Sequence, residues 1–142
     1  MNQNNPDLKQ QIIYDKREDN LYKFKLKEDV VVVTDIYGYT FASDYLQLTP
    51  EGRLTLTRKY AWNGVTGAND TAESMLASAL HDGIYQLIKL NVLPQKYRKH
   101  ADRLMRLAAI AQDMTTIKAW IAWIIVRIAG WWFTRKSASN SS

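Results

Sequence analysis

His81-Asp82-Gly83-Ile84-Tyr85 is followed, twenty residues after Asp82, by Asp102. A histidine oriented by one carboxylate, beside a second carboxylate free to hold a cation, is the minimum equipment for activating water. On a helix, His81 and Tyr85 share a face because they are four residues apart. Asp82 then points about 100° away from His81, which suits a cation ligand better than a histidine partner. Asp102 is the carboxylate placed to reach His81 from a following helix. The candidate catalytic set is therefore His81, Asp102 and Tyr85. Carboxylate plus backbone carbonyls is hard-ion chemistry, for which calcium is a better match than zinc. Asp82, Asn63 and Gly64 form the candidate calcium set, with the Asn63–Gly67 loop able to supply carbonyls and an amide for an oxyanion. Three plainer readings stand beside these. The polar cluster is a buried hydrogen-bonded lock; Asn63-Gly64 is only a tight turn; Asp102 serves surface ion pairs with Arg98 and Arg106, four residues to either side.

The elements that must position these residues are an N-terminal sheet and three helices, an α+β fold. Residues 1–20 are polar and read as a loose arm, with a short helix at Leu8–Tyr14. Tyr22, Phe24 and Leu26 alternate with lysines, the pattern of a half-buried strand. Val30–Val33 is a β-branched run suited to a central strand, and Ile36–Phe41 is a third candidate. Leu46 and Leu48, then Leu54 and Leu56, flank Thr49-Pro50-Glu51-Gly52, a hairpin turn. Residues 21–62 thus predict a small antiparallel sheet. Asp70 or Thr71 caps a helix running to about Leu90, with Asp70 and Glu73 as a capping box. Pro94 opens a second helix over residues 95–113. Tyr97, Ala101, Leu104, Ala108 and Ala111 face inward on it, and Lys96, Lys99, Arg103 and Arg106 face outward. A third helix, Thr116 to about Phe133, is apolar all round except for Lys118, Arg127 and Gly130. It is short for a membrane span and is expected to be mainly buried in protein, with at most one exposed apolar edge available for a partner or a membrane surface; interfacial contact and a true span are the lesser alternatives. One domain over residues 21–133 and a disordered tail over 134–142 complete the expected organisation.

The chain has 142 residues, enough for one domain with a real core. It has no cysteine, which excludes disulfides, zinc–thiolate sites and thiol catalysis. Met1–Asp7 is polar with no apolar stretch after it, so no signal peptide is expected. The net charge of +5 is uneven: residues 1–58 hold eight Lys/Arg against nine Asp/Glu, and residues 59–142 hold eleven against five. The basic half carries the candidate site, which favours an anionic partner such as lipid head groups. Nucleic acid is the weakest partner class, because no exposed aromatic residue interleaves the Lys96–Arg106 stripe. His100 lies off the inward face and reads as a surface residue.

Two resemblances follow from these motifs. Tyr60-Ala61-Trp62-Asn63-Gly64-Val65-Thr66, Ala79-Leu80-His81-Asp82-Gly83-Ile84-Tyr85, Ala101-Asp102-Arg103-Leu104 and the trailing Val126-Arg127 with Gly130 resemble the phage and prophage family called domain of unknown function 1353. That likeness covers roughly residues 44–133 and implies a phage or prophage origin, a virion or infected-cell location and other phage proteins as partners, with no activity attached. More distantly, the same order is similar to small prokaryotic phospholipases A2. This second likeness implies His81 as general base, Asp82 as calcium ligand, Asp102 as the residue orienting His81, and Asn63 and Gly64 in the calcium loop. Asn63 departs from the acidic residue expected there, and no cysteines brace the helices. The chain is accordingly expected to be a calcium-dependent, phospholipase A2-like ester hydrolase acting at an anionic membrane surface as a peripheral protein. The alternative is a non-catalytic virion or membrane-associated component that keeps the His/Asp cluster as structure.

Overall fold

A computed structural model of the chain describes residues 5–17, 22–64, 74–112, 120–121 and 123–132. Among the described residues, short β-branched and aliphatic runs, broken by turns, make seven strands: β1 (Tyr14–Lys16), β2 (Phe24–Leu26), β3 (Val30–Val33), β4 (Phe41–Ala42), β5 (Leu46–Leu48), β6 (Arg53–Leu56) and β7 (Ala61–Trp62). All pair antiparallel, in two sheets rather than the one expected. The first has the order β1-β2-β7 and the second β3-β6-β5-β4. In the second, Leu46 opposes Leu56 and Leu48 opposes Leu54, so the alternation of the β5–β6 hairpin delivers all four leucines to one buried face. Gly52 closes that hairpin at φ +93°, and a Cβ there would run into the Thr34 carbonyl oxygen.

Three strand expectations change. Val30–Val33 is an edge strand, not a central one. Its free edge is occupied by side chains: Asp7 Oδ2 accepts from the Val33 N–H at 2.8 Å, Asn5 Nδ2 donates to the Val33 carbonyl at 3.0 Å, and Gln10 Nε2 donates to the Val31 carbonyl at 3.0 Å. Only Phe41–Ala42 of the third candidate and its neighbour pairs as a strand. Residues 5–17 are not a loose arm. They hold a one-turn 3-10 helix at Pro6–Lys9 in place of the helix expected at Leu8–Tyr14, then β1, and Leu8 is 0% exposed. Polar composition hid this because the polar side chains are the ones that bind the sheet edge.

Helix α1 (Met75–Lys89) lays Leu76, Leu80, Ile84, Leu87 and Ile88 into the core. It ends in a Schellman arrangement: Asn91 takes φ +62°, the Asn91 N–H donates to the Ile88 carbonyl and the Val92 N–H to the Leu87 carbonyl. The capping box at Asp70–Glu73 and the tail at 134–142 lie outside the described residues. After Pro94 and a 3-10 turn at Gln95–Tyr97, helix α2 (Arg98–Ala111) packs on α1. Ala101, Leu104 and Ala108 are buried as expected, and Lys96, Lys99 and Arg103 are exposed. Arg106 departs from that outward stripe. Its guanidinium lies over the Trp120 ring, 3.9 Å from the centroid.

Helix α3 (residues 120–132, with 122 outside the described set) is not mainly buried. Among its described residues, Val126 and Gly130 alone are buried. Trp120, Ile121, Ile124, Ile128, Trp131 and Trp132 are exposed, Ile128 at 61% and Trp132 at 68%. At about 100° per residue these six fall within one stripe about 120° wide, so the helix offers a continuous apolar face to the outside. No helix among the described residues is long and apolar enough to cross a membrane.

Gly52→Ala is expected to lower stability by about 2–4 kcal/mol, because it adds left-handed strain to a backbone collision. Urea denaturation measures this, and a midpoint equal to wild type would refute the hairpin geometry.

Candidate active site

The periodicity of α1 sets the site. His81 and Tyr85, one turn apart, stack with ring centroids 4.1 Å apart, and Asp82 and Gln86 form the next pair around the helix. Asp102 reaches in from α2. It is 0% exposed. Its Oδ1 lies 2.7 Å from His81 Nε2 and accepts a hydrogen bond from the Tyr85 hydroxyl at 2.8 Å. Its Oδ2 accepts from Arg127 Nη1 of α3 at 3.3 Å. The structure thus brings His81, Asp102 and Tyr85 together, and Asp102 is buried rather than on the surface. Arg127 supplies the counter-charge that a dry carboxylate requires. His81 itself also lines a cavity.

Burial governs the remaining titrations. It pushes the Tyr85 hydroxyl far above its ordinary range, and the neighbouring Asp102 adds to this. Tyr85 is therefore a hydrogen-bond donor to Asp102, not an acid. Asp82 is raised above the usual carboxylate value by burial, against the lowering effect of hydrogen bonds from Tyr60 and Gln86. Its Oδ2 accepts a short hydrogen bond from the Tyr60 hydroxyl and one from Gln86 Nε2 at 3.2 Å. Burial also holds the Tyr60 hydroxyl well above its ordinary range.

The expected calcium set does not converge as a hard-ion cage. Asp82 Oδ2 is taken by Tyr60 and Gln86. The Asn63 side-chain oxygen accepts the Lys23 backbone N–H at 3.0 Å and lies on the exposed side of β7. Gly64 does line the same cavity as His81 and Asp82. Among the described residues, no three His, Cys, Asp or Glu side chains gather at metal-binding spacing. One carboxylate with half its oxygens engaged fits calcium poorly, since such ions take six to eight oxygens. Residues 65–67 of the loop lie outside the described residues.

His81 and Asp82 open on a cavity of about 560 Å³. Its lining is mixed, with polar Ser78 and Gln86 beside apolar Leu90, Met105, Val126 and Ala129. Gly130 permits this arrangement. A Cβ there would overlap the Tyr85 hydroxyl, so only glycine lets α3 approach so closely. Arg127, Tyr60 and Gln86 belong to the site; the motif reading quoted Tyr60 and Arg127 without giving them a role and passed over Gln86. Two signals were present: a lone Arg inside an apolar helix needs a buried partner, and Gln86 lies one turn from Asp82.

Two outcomes follow. Gly130→Ala should displace the Tyr85 hydroxyl from Asp102 and cost about 1–3 kcal/mol. Combined with Tyr85→Phe, which removes the colliding oxygen, the loss should be smaller than the sum of the single losses; additive losses in a double-mutant cycle would refute this packing. Asp82 has a folded-state pKa above its unfolded value, so its contribution to stability is present at low pH and lost as pH rises through the folded value. Asp82→Asn should therefore melt above wild type at pH 7, with the gap closing towards pH 4. Thermal melts across that range, with and without millimolar calcium, check this, and a calcium-dependent rise in wild-type melting temperature would restore Asp82 as a ligand.

Searches against models of known protein families, curated proteins and solved structures find no match to this chain.

Proposed function

We propose that the protein is a hydrolase that cleaves the carboxylic ester of an amphipathic, phospholipid-type substrate at a membrane surface. The observation that carries this reading is the 2.7 Å contact between His81 Nε2 and the wholly buried Asp102, on a histidine that opens into a cavity. Asp102, also accepting from Tyr85, holds Nε2 as the N–H donor and so leaves Nδ1 as the base. Nδ1 takes a proton from a water whose oxygen attacks the ester carbonyl carbon. The tetrahedral intermediate then expels the alcohol, which leaves with that proton, giving carboxylic acid and alcohol. The apolar wall at Leu90, Met105, Val126 and Ala129 suits the acyl chain. The motif order shared with prokaryotic phospholipases A2 supports the same assignment. The donors at Asp82 and Asn63 are engaged by Tyr60, Gln86 and Lys23 and do not suit a cation.

The exposed face of α3 supports the membrane location. Its tryptophans and isoleucines lie on the exposed side of the helix whose Val126, Ala129 and Gly130 line the cavity, and the chain's net charge is +5. Aromatic–aliphatic faces of this kind settle at the boundary of anionic bilayers.

One observation favours a second reading. Asp102 is bonded from α1 and α3 while standing on α2, which is what a purely structural lock between three helices requires. The protein is then a non-catalytic component of a phage particle or its membrane complex.

Fatty-acid release from short-chain and vesicular phospholipid separates the two. His81→Gln keeps a donor for Asp102 but removes the base, and should cut the rate by about 100-fold or more at little cost in melting temperature. Hydrolysis by His81→Gln at the wild-type rate, or none by wild type, rejects the catalytic reading. Asp102→Asn should lower both rate and melting temperature. Ile124→Ser/Ile128→Ser should weaken sedimentation with anionic vesicles and abolish the tryptophan blue shift; unchanged binding would remove α3 from the membrane contact.

A further inference from the structure

Beyond Tyr60 lies a second cavity, of about 620 Å³, that the proposed chemistry does not use. Tyr22, Gln86 and Leu90 line both cavities, so they are two lobes of one trough. The divide between them is the hydrogen-bonded group Tyr60, Asp82 and Gln86. Their charges differ. The lobe at His81 is lined by one carboxyl, Asp82, and one ammonium, Lys89. The second lobe is lined by Arg17, Lys25 and Lys59, and by no carboxylate among the described residues.

We propose that this second lobe is a phosphate-binding subsite formed by Arg17, Lys25 and Lys59. As a subsite for substrate it rests on the hydrolase reading; as an anion site it does not. The three cations come from separate parts of the chain: the end of β1, the middle of β2, and the turn between β6 and β7. Asp15, which faces Lys25 across the β1–β2 pairing, turns to Lys27 at 3.8 Å and leaves the lobe to the cations. Arg17 and Lys25 are half-buried, so their fields are screened less than those of fully exposed side chains. Three positive charges in one concavity repel one another, and a multivalent oxyanion relieves this at once. A phosphate group matches them in kind, with a fork donor from Arg17 and point charges from the lysines. Tyr22 and Tyr45 stand exposed at the rim, where their hydroxyls can add neutral donors. The charge difference between lobes also orients a substrate. Its anionic group lies beyond Tyr60, and its ester falls in the lobe that holds His81.

Calorimetric titration of the full chain tests this with two probes, inorganic phosphate and monomeric dihexanoylphosphatidic acid. Wild type should bind both, and Lys25→Gln/Lys59→Gln should weaken both at least tenfold. Tighter binding of the lipid identifies a headgroup as the source; equal binding identifies free phosphate; either supports the subsite. Lys99→Gln/Arg103→Gln, on the outer face of α2, should bind as wild type does. No phosphate-dependent heat in wild type overturns the proposal, as does equal weakening in the α2 variant, which would reduce the effect to net charge. His81→Gln should bind both probes normally. A protein that binds phosphate in this way yet hydrolyses nothing therefore loses the hydrolase reading and keeps the subsite, and one that hydrolyses ester but binds no phosphate does the reverse.

Discussion

A carboxylate without water is the constraint around which the helical half of this protein is arranged. Asp102 has no exposed surface, and an uncompensated charge there would cost several kcal/mol. Its oxygens are met from three directions, by His81 and Tyr85 on α1 and by Arg127 on α3. Each donor imposes a further condition. His81 and Tyr85 must share a face, so α1 must be regular between them. Tyr85 must lie flat beneath α3, so position 130 must be glycine. Arg127 must turn inward, so the polar exception in an apolar helix points to the protein and the apolar residues are left outside.

That last condition explains the departure on α3. An apolar run whose two charges, Lys118 and Arg127, fall on opposite faces reads as a buried helix, because it has no polar side to give to solvent. Among the described residues of α3, the buried line is Val126 and Gly130, with Arg127 turned in to Asp102. Composition gives the number of apolar side chains on a helix but not which way a charge among them faces. The partner of that charge, Asp102, sits 25 residues away on another element.

Much of the rest was legible. The leucines of β5 and β6, the turn at Pro50–Gly52 and the inward residues of α2 follow from period and turn chemistry alone. The His81–Asp102 pairing was legible from spacing, since both residues lie on helices that must pack together. The partners of Asp82 were only half legible: Gln86 is local, whereas Tyr60 comes from the strand side of the fold. The N-terminal segment was read as solvated because Asn5, Asp7 and Gln10 are polar. Their role is to replace a missing strand at the edge of β3, and no local pattern encodes a partner 21 to 28 residues distant.

The same segment ties the order of synthesis to the order of folding. Gln112, at the end of α2, donates to the carbonyls of Leu8 and Gln10, joining residues 104 and 102 positions apart. This segment is made before α2 and is thus fully fixed only once α2 has been made. Until then the segment that clamps the β3 edge lacks its tie to α2. A nascent or truncated chain ending before Gln112 carries that edge with one anchor fewer, which makes it a template for pairing with other extended chains.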